Sequence, residues 1–364
     1  MRLAVDATPL LGPRTGVGRY VAGVLTGLAE LPDAPVPVLT AFSVRGSLPE
    51  DVPGRPARLR APARVLHRLW ARVPLPPVEL LSGPADVFHA GNFVLPPTWR
   101  ARGVVTVHDL TYLRHPETVT PAVLAYAHLV PDSLRRAARV VTVSAAVRDE
   151  VCAEYALDPA GVVVAPNGVD SAWSQASPPS AGDRARLGLG ERYLLFVGNV
   201  EPRKGLPVLV RAHAAARAAD PDVPALVVVG PRGWGDAWGD EQPDPRHVLR
   251  LGFLPDADLR RVVRGATAVC LPSRYEGFGL PVLEGLACGR RVLASDLAAH
   301  REVAGGLATL LPLGDVDAWS HALVAASRTG EPDDAEARQA HARTFTWRRS
   351  AALHLAAWHS VTRR

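Results

Sequence analysis

The stretch Pro272-Ser273-Arg274-Tyr275-Glu276-Gly277-Phe278-Gly279-Leu280-Pro281-Val282-Leu283-Glu284-Gly285 follows a short apolar run, Ala268–Leu271, and leads into a helical period. Gly277 and Gly279 let a backbone pass close to a ligand, and Pro281 suits the first turn of a helix. Strand, glycine loop and helix start are therefore spelled in order. Such a helix presents backbone N–H groups near Gly279 and Leu280 to an anion. Glu284 falls one turn inside the helix and Glu276 before the loop. Two carboxylates then reach one site from two levels and can accept hydrogen bonds from polyol hydroxyls. Taken singly, Glu284 is also a favourable first-turn acid and Glu276 an ordinary loop charge. The Gly-Phe-Gly-Leu-Pro spacer between them favours the paired reading.

An earlier stretch has the same plan. In Phe196-Val197-Gly198-Asn199-Val200-Glu201-Pro202-Arg203-Lys204-Gly205 a strand ends, a loop turns, and two cations precede a helical period from Leu206. A guanidinium fork and an ammonium beside a helix start make a diphosphate grip. An isolated Arg-Lys pair would more simply be a solvated basic turn. Lys204, however, is the sole lysine among 41 basic side chains. Arginine-rich coding explains the background, and a retained lysine at this position points to a compact ammonium being wanted there.

Outward from these loops, short apolar runs alternate with helical stretches. Runs at Leu3–Val5, Val36–Phe42, Val87–His89, Val104–His108, Val140–Val143 and Val162–Ala165 surround helical patterns at 121–138 and 145–155. A second series runs through Tyr193–Val197, Ala225–Val229, Val248–Leu251, Ala268–Leu271, Arg291–Ala294 and Leu307–Leu311, with helices expected at 206–219, 258–265 and 281–288. Nearly all-apolar strands separated by helices mean parallel sheets covered on both faces. The expectation is an α/β protein of two tandem doubly wound Rossmann-like domains. Residues 1–170 form the first domain and 191–345 the second. Between them, 171–190 reads as a linker because Ser171–Gly182 is rich in Ser and Pro. A helix over 346–364 is expected to cross back to the first domain, with the strand-end loops of both sheets facing across a cleft.

Composition bounds the rest. At 364 residues, 48% hydrophobic and 21% charged, the chain is a two-domain globular protein, not a disordered or fibrous one. No apolar run approaches the ~20 residues that span a bilayer, and no signal-peptide pattern opens the chain, so a cytoplasmic protein is expected. Cys152, Cys270 and Cys288 lack metal-site spacing and read as buried free thiols. A formal charge of +5 suits a nucleotide diphosphate or an anionic membrane surface. There is no basic tail, zinc-finger spacing or aromatic RNA-binding signature, so no nucleic-acid partner is expected.

The Glu276 and Glu284 motif, with seven residues between, resembles the signature of glycosyltransferase family 4, and 198–205 is similar to that family's phosphate-binding loop. The likeness continues through Thr15–Tyr20, His108-Asp109-Leu110, Val143-Ser144 and Pro166-Asn167-Gly168-Val169-Asp170. It implies a GT-B fold and a retaining hexosyltransferase with a nucleotide-sugar donor. It implies that Arg203 and Lys204 neutralise the diphosphate, helped by amides at Gly279 and Leu280 beside Phe278, and by the Gly16–Gly18 loop. Glu284 would hold the ribose and Glu276 the sugar hydroxyls, with Leu251 and Phe253 lining the base pocket. His108 would stand near the sugar, with Asp109 orienting it or the acceptor, and Asn167 belongs to the same substrate-binding set. His108 can equally be a strand-end histidine satisfied by backbone. Gly16 and Gly18 also describe any tight turn, and they lack the third glycine of a dinucleotide fingerprint.

Asp256-Ala257-Asp258 and Asp315-Val316-Asp317 look like the metal motif of other sugar transferases. Both precede apolar-periodic helices, so helix capping is the stronger reading, and no metal or other cofactor is expected. Gly198–Lys204 and His108–Tyr112 look most like the mannosyltransferase branch of the family, a resemblance that implies GDP-mannose over UDP-sugars and a glycan or lipid-linked acceptor. Chemistry can run by front-face attack or through a covalent sugar on Glu276. Ala63–Val73 places Val65, Leu66, Leu69, Trp70 and Val73 on one helical face beside Arg64, Arg68 and Arg72, the pattern of a membrane-surface helix. A core helix with an arginine edge shares that pattern. Two rival classes remain. A nucleotide-sugar epimerase would isomerise donor without an acceptor, and a non-catalytic sugar-nucleotide-binding protein would neither hydrolyse nor transfer it.

Overall fold

The computed structural model describes residues 1–12, 15–70, 72–235, 237–238, 243–328, 330 and 334–362, with backbone only at 64 and 67. The chain divides into two compact units, one of Met1–Arg114, Pro121–Gly168 and Phe345–Arg364, the other of His115–Thr120 and Val169–Thr344.

In the first unit, strands β1 (Leu3–Asp6), β2 (Val38–Thr40), β3 (Arg55–Pro56), β4 (Val87–Ala90), β5 (Arg102–Val107), β6 (Arg139–Thr142) and β7 (Val162–Val164) form one sheet in the order β3-β2-β1-β4-β5-β6-β7. All pairings are parallel. The second unit repeats the plan with β8 (Tyr193–Val197), β9 (Ala225–Val229), β10 (Val248–Gly252), β11 (Ala268–Leu271), β12 (Arg291–Ser295) and β13 (Thr309–Leu311), ordered β10-β9-β8-β11-β12-β13 and again parallel. Every residue of β1, β4, β8 and β11 is buried, as strands covered on both faces require. Each sheet reverses its strand order once, between β1 and β4 and between β8 and β11. The carboxyl ends flanking such a reversal are where doubly wound sheets hold ligands.

Three local expectations change. The two-residue edge strand β3 contains Pro56, which cannot donate to a ladder, and so leaves no periodic signal. The expected helix over 121–138 is two helices, Pro121–Leu124 and Tyr126–Arg136. The Ser/Pro-rich stretch read as linker carries helices Ser171–Ser174 and Ala181–Leu187. Ser180 and Asp183 close a reciprocal capping box at the second of these, so its serines cap and do not solvate a coil.

The helix Trp347–Thr362 packs within the first unit on the helix Gly16–Ala29. The contact is close because two glycines face it. A Cβ on Gly23 would lie 2.2 Å from the Trp347 ring, and one on Gly27 would lie 2.3 Å from the Trp347 carbonyl oxygen. A buried polar chain then ties the C-terminal helix to the sheet. The Trp358 indole N–H donates to His89 Nδ1 (2.8 Å), and His89 Nε2 meets Thr106 Oγ1 (3.0 Å). Thr106 meets Tyr20 Oη (2.7 Å), Tyr20 meets His354 Nε2 (2.7 Å), and His354 Nδ1 meets the Ser350 carbonyl (2.7 Å). An indole can only donate and a carbonyl can only accept, so the ends fix every proton between them. His89 carries its proton on Nε2, His354 on Nδ1, and all the bonds run one way. Burial pulls His354 down to about 4 and His89 well below its ordinary value, so both rings stay neutral.

Candidate functional site

The second unit builds its site where β8 and β11 end. After β8 the chain makes a tight turn at Pro202–Lys204 and enters the helix Leu206–Ala219. Gly205 joins them at φ +68, and a Cβ there would fall 2.1 Å from the Pro272 carbonyl oxygen. Only glycine allows this approach. The Arg274 amide donates to the Arg203 carbonyl (2.8 Å), so the β8 and β11 loops are held as one body.

That body carries a charge cluster. Lys204 Nζ lies 2.6 Å from Glu276 Oε1, and Arg203 Nη1 lies 3.0 Å from Glu276 Oε2. Arg203 Nη1 also donates to the Tyr275 carbonyl (2.6 Å), and Nη2 pairs with Glu201 Oε1 (2.8 Å). Ser273 Oγ donates to Glu276 Oε1 (2.7 Å). The four charged side chains are 3–14% exposed. Burial opposes charge on Glu276, yet Lys204 and then Arg203 hold its carboxyl below the usual carboxylate range. The sequence had placed Arg203 and Lys204 as cations open to phosphate. Here both are already matched by Glu201 and Glu276, and the cluster sums to zero charge.

Beyond Glu276 the loop closes on the helix Leu280–Ala287, with Gly279 as its N-cap at φ +96. Among the described residues, the backbone N–H groups of Gly279 and Leu280 find no acceptor. Phe278 is buried, and Glu284 is buried one turn inside this helix. Against Gly279 lies His300, from the helix Ala298–Ala304 after β12. A Cβ on Gly279 would fall 2.8 Å from His300 Cδ2 and 3.2 Å from Nε2. Leu251, in the edge strand β10, is half-buried, and Phe253 just beyond it is exposed.

The first unit places its expected residues as follows. Gly16 and Gly18 are not a loop but the first turn of the helix Gly16–Ala29, with Thr15 as N-cap. Glycine's weak helix propensity hid that start. His108, after β5, is buried; its Nε2 meets the Gly91 carbonyl (2.7 Å), and the Tyr20 ring packs edge-on at 4.7 Å. Burial lowers its pKa, the Gly91 bond and Asp109 opposing, so the ring is neutral with Nδ1 the free acceptor position. Asp109 Oδ1 accepts from the Thr111 amide (2.9 Å). Asn167 is buried, and among the described residues its Oδ1 has no hydrogen-bond partner.

The acidic pairs that imitate a metal motif serve helices. Asp315 Oδ1 accepts from the Ala318 amide (3.0 Å) at the start of Val316–Arg328. Asp256 and Asp258 lie inside the first turn of Asp256–Gly265, with Pro255 and not an aspartate at the N-cap. Asp258 pairs with Arg186 (3.0 Å). Cys270 and Cys288 are buried free thiols, their pKa values pushed up to about 12 by burial, whereas Cys152 is only half-buried. The site residues not foreseen were Glu201, Ser273 and His300. Glu201 and Ser273 sit inside the two stretches that announced the site. His300 lies fifteen residues past Gly285 and no local pattern marks it.

An Anabaena protein crystallised with UDP and glucose superposes with a TM-score of 0.70 over 98% of this chain and 98% of its own, at 18% identity. A glycosyltransferase of Rickettsia africae superposes with a TM-score of 0.72 over 99% of this chain and 98% of its own, at 15% identity, and with the two doubly wound units this fold is that of the GT-B glycosyltransferases. A sequence profile described as Glycosyltransferase Family 4 matches residues 14–173, and one described as Glycosyl transferases group 1 matches 191–328. The chain belongs to this glycosyltransferase family. It is 28% identical over 378 aligned positions to the O-antigen chain mannosyltransferase B of Escherichia coli, covering 95% of this chain and 96% of the relative. It is 37% identical over 239 positions to a D-inositol 3-phosphate glycosyltransferase of Actinosynnema mirum, across 58% of this chain and 54% of that relative.

Proposed function

We propose that this glycosyltransferase is a retaining, metal-independent hexosyltransferase that takes mannose from GDP-mannose and adds it to a lipid-linked or glycan acceptor. One observation carries the reading. Two helix-start amides without an acceptor among the described residues, at Gly279 and Leu280, adjoin the buried Arg203–Lys204–Glu276 cluster at the strand reversal of the second sheet. Amides and cations preorganised for a leaving diphosphate lower the barrier without reorganising during the reaction. Glu284 takes the ribose, Leu251 and Phe253 border the base, and Glu276 accepts from sugar hydroxyls. A carboxylate already held by Lys204, Arg203 and Ser273 is a poor nucleophile, which supports front-face attack over a glycosyl-enzyme. His108 and Asp109 belong to the sugar and acceptor side of the reaction, Gly16 and Gly18 assist at the diphosphate, and Asn167 belongs to the substrate-binding set. The mannosyltransferase likeness supports the donor assignment.

A panel of GDP- and UDP-sugars tested by thermal shift, followed by transfer with EDTA present and NMR of the product anomer, tests the reading. Stabilisation by GDP-mannose above UDP-sugars and an α-linked product are expected. An inverted product, isomerised donor or strict dependence on divalent metal would overturn it. The same reading includes peripheral contact with the inner membrane face, where a lipid-linked acceptor would lie. Among the described residues no helix is long and apolar enough to cross a membrane.

A further inference from the structure

The charge balance of the donor cluster poses a problem that His300 answers. Glu201, Glu276, Arg203 and Lys204 cancel one another. A nucleotide-sugar diphosphate brings two negative charges near neutral pH, and the cluster has no surplus positive charge to meet them. His300 is 1% exposed, and its Nδ1 lies 2.8 Å from the Ser295 carbonyl. A carbonyl only accepts, so Nδ1 carries the proton and Nε2 is left with a lone pair. Among the described residues, that Nε2 has no hydrogen-bond partner. It lies beside Gly279, where an added Cβ would fall 3.2 Å from it, and there the amides of Gly279 and Leu280, without an acceptor among the described residues, begin the helix Leu280–Ala287. The unshared Nε2 lone pair and the two amides without an acceptor among the described residues thus adjoin the same corner.

We propose that His300 is a proton-coupled ligand of the donor diphosphate. It stays neutral in the empty site and takes one proton from solvent as the diphosphate enters. Nε2–H then donates to a phosphate oxygen beside the Gly279 and Leu280 amides. Nδ1–H keeps its bond to Ser295, so the ring does not turn. The groups that face the ring fit this scheme. Burial, together with Lys204 and Arg203, holds the empty-site ring below its ordinary value, and Glu276 opposes them. A dianion placed against Nε2 adds a much larger pull toward the charged form. By linkage, donor affinity is full only below the pKa of the ligand-free ring, where both states are protonated. It falls by up to about tenfold per pH unit as pH rises from there to the pKa of the complex, and levels off above it.

The inference rests on the donor-site reading above, and the test separates the two. Intact GDP-mannose and UDP-glucose, whose diphosphate diesters do not titrate near neutrality, are titrated into the full chain by calorimetry without acceptor. Runs in buffers of different ionisation enthalpy at several pH values count the protons exchanged. The wild-type protein should take up between half and one proton per bound nucleotide sugar at the pH where affinity begins to fall. His300→Gln, whose amide reaches the position of Nε2 without titrating, should bind with no proton uptake and a flat pH profile. Binding by the wild type without uptake, or unchanged uptake in His300→Gln, overturns the inference and leaves the donor site standing. The wild-type count needs no variant, so a misfolded His300→Gln does not rescue the idea. Failure of both nucleotide sugars to bind at any pH overturns the donor site and this inference together.

Discussion

Lys204 Nζ and Glu276 Oε1 lie 2.6 Å apart, so the sole lysine of the chain and the first carboxylate of its paired motif are each other's partner before any donor arrives. The pair is set by Gly205, which lets the β8 loop rest on the Pro272 carbonyl. It keeps the ammonium in place at the cost of occupying it. A donor must therefore share Lys204 with Glu276, which suits a residue that meets phosphate and sugar hydroxyls at once.

Lys204→Ala should reduce kcat by about 100- to 1000-fold, the usual loss when one preorganised charge at a developing anion is removed. It should do so with a smaller change in KM, since Arg203 and the Gly279 and Leu280 amides remain. Lys204→Arg should not restore the rate, because a planar fork cannot occupy the point between Glu276 and the diphosphate. Initial-rate kinetics on the three proteins decide this. Near wild-type turnover in Lys204→Ala would remove the cluster from the chemistry.

Much of this site was legible because its chemistry is local. The stretches 196–205 and 272–285 each spell strand, turn and helix, and the contact between their loops follows from strand order. What sequence concealed was pairing. Arg203 and Lys204 read as free cations because Glu201 looks like a spacer and Glu276 like a sugar ligand, and only the fold brings all four together. His300 was invisible for the same reason, since its nearest site neighbour is Gly279, twenty-one residues earlier. The parallel strands were plain as apolar runs. The helix Gly16–Ala29 was hidden because its opening, Gly-Val-Gly, reads as a turn.

The one-way chain from Trp358 to Ser350 predicts both a mutational and a pH response. Tyr20→Phe leaves His354 Nε2 without a donor and Thr106 without an acceptor for its proton, at a cost of about 1–3 kcal/mol. His354 is pulled down to about 4, whereas an exposed histidine titrates near 6.5. The unfolded chain then binds more protons than the folded one between these values. Stability rises with pH across that window and is lost as pH falls through it, by about 3 kcal/mol from His354 alone. Urea melts of wild type and His354→Gln between pH 4 and 7 measure this. An equal acid slope in both proteins would show that the chain of bonds is not its source.

The helix pair Gly16–Ala29 and Trp347–Thr362 should be equally sensitive to volume. Gly27→Ala places a methyl where the Trp347 carbonyl already lies, and backbone cannot rotate away as a side chain can. Separation of the helices should cost about 1–3 kcal/mol, although alanine is the better helix former. A rise in the melting temperature of Gly27→Ala would contradict this contact.

The segment Ala63–Val73 holds the last prediction, because the fold divides what the sequence read as one face. Leu66 and Trp70 are both 4% exposed and enter the core, where Trp70 packs edge-on to Phe42 and its indole donates to the Pro76 carbonyl (3.0 Å). Val65, Leu69 and Val73 stay 42–52% exposed beside the exposed Arg68 and Arg72. Ala71 and the side chain of Arg64 lie outside the described residues. A helix can thus have a core side and an apolar outer edge, which joins the two readings that the pattern alone could not separate. The outer edge is narrower than the five-residue face expected, so its membrane contact should depend strongly on the arginines and on anionic lipid. Changing Val65, Leu69 and Val73 together to Ser should abolish co-sedimentation with anionic vesicles and leave the melting temperature within about 2 °C. Leu66→Ala should do the reverse, losing about 2–5 kcal/mol of stability while the folded fraction still binds vesicles. Vesicle binding that ignores both the serine changes and salt would place any membrane contact elsewhere.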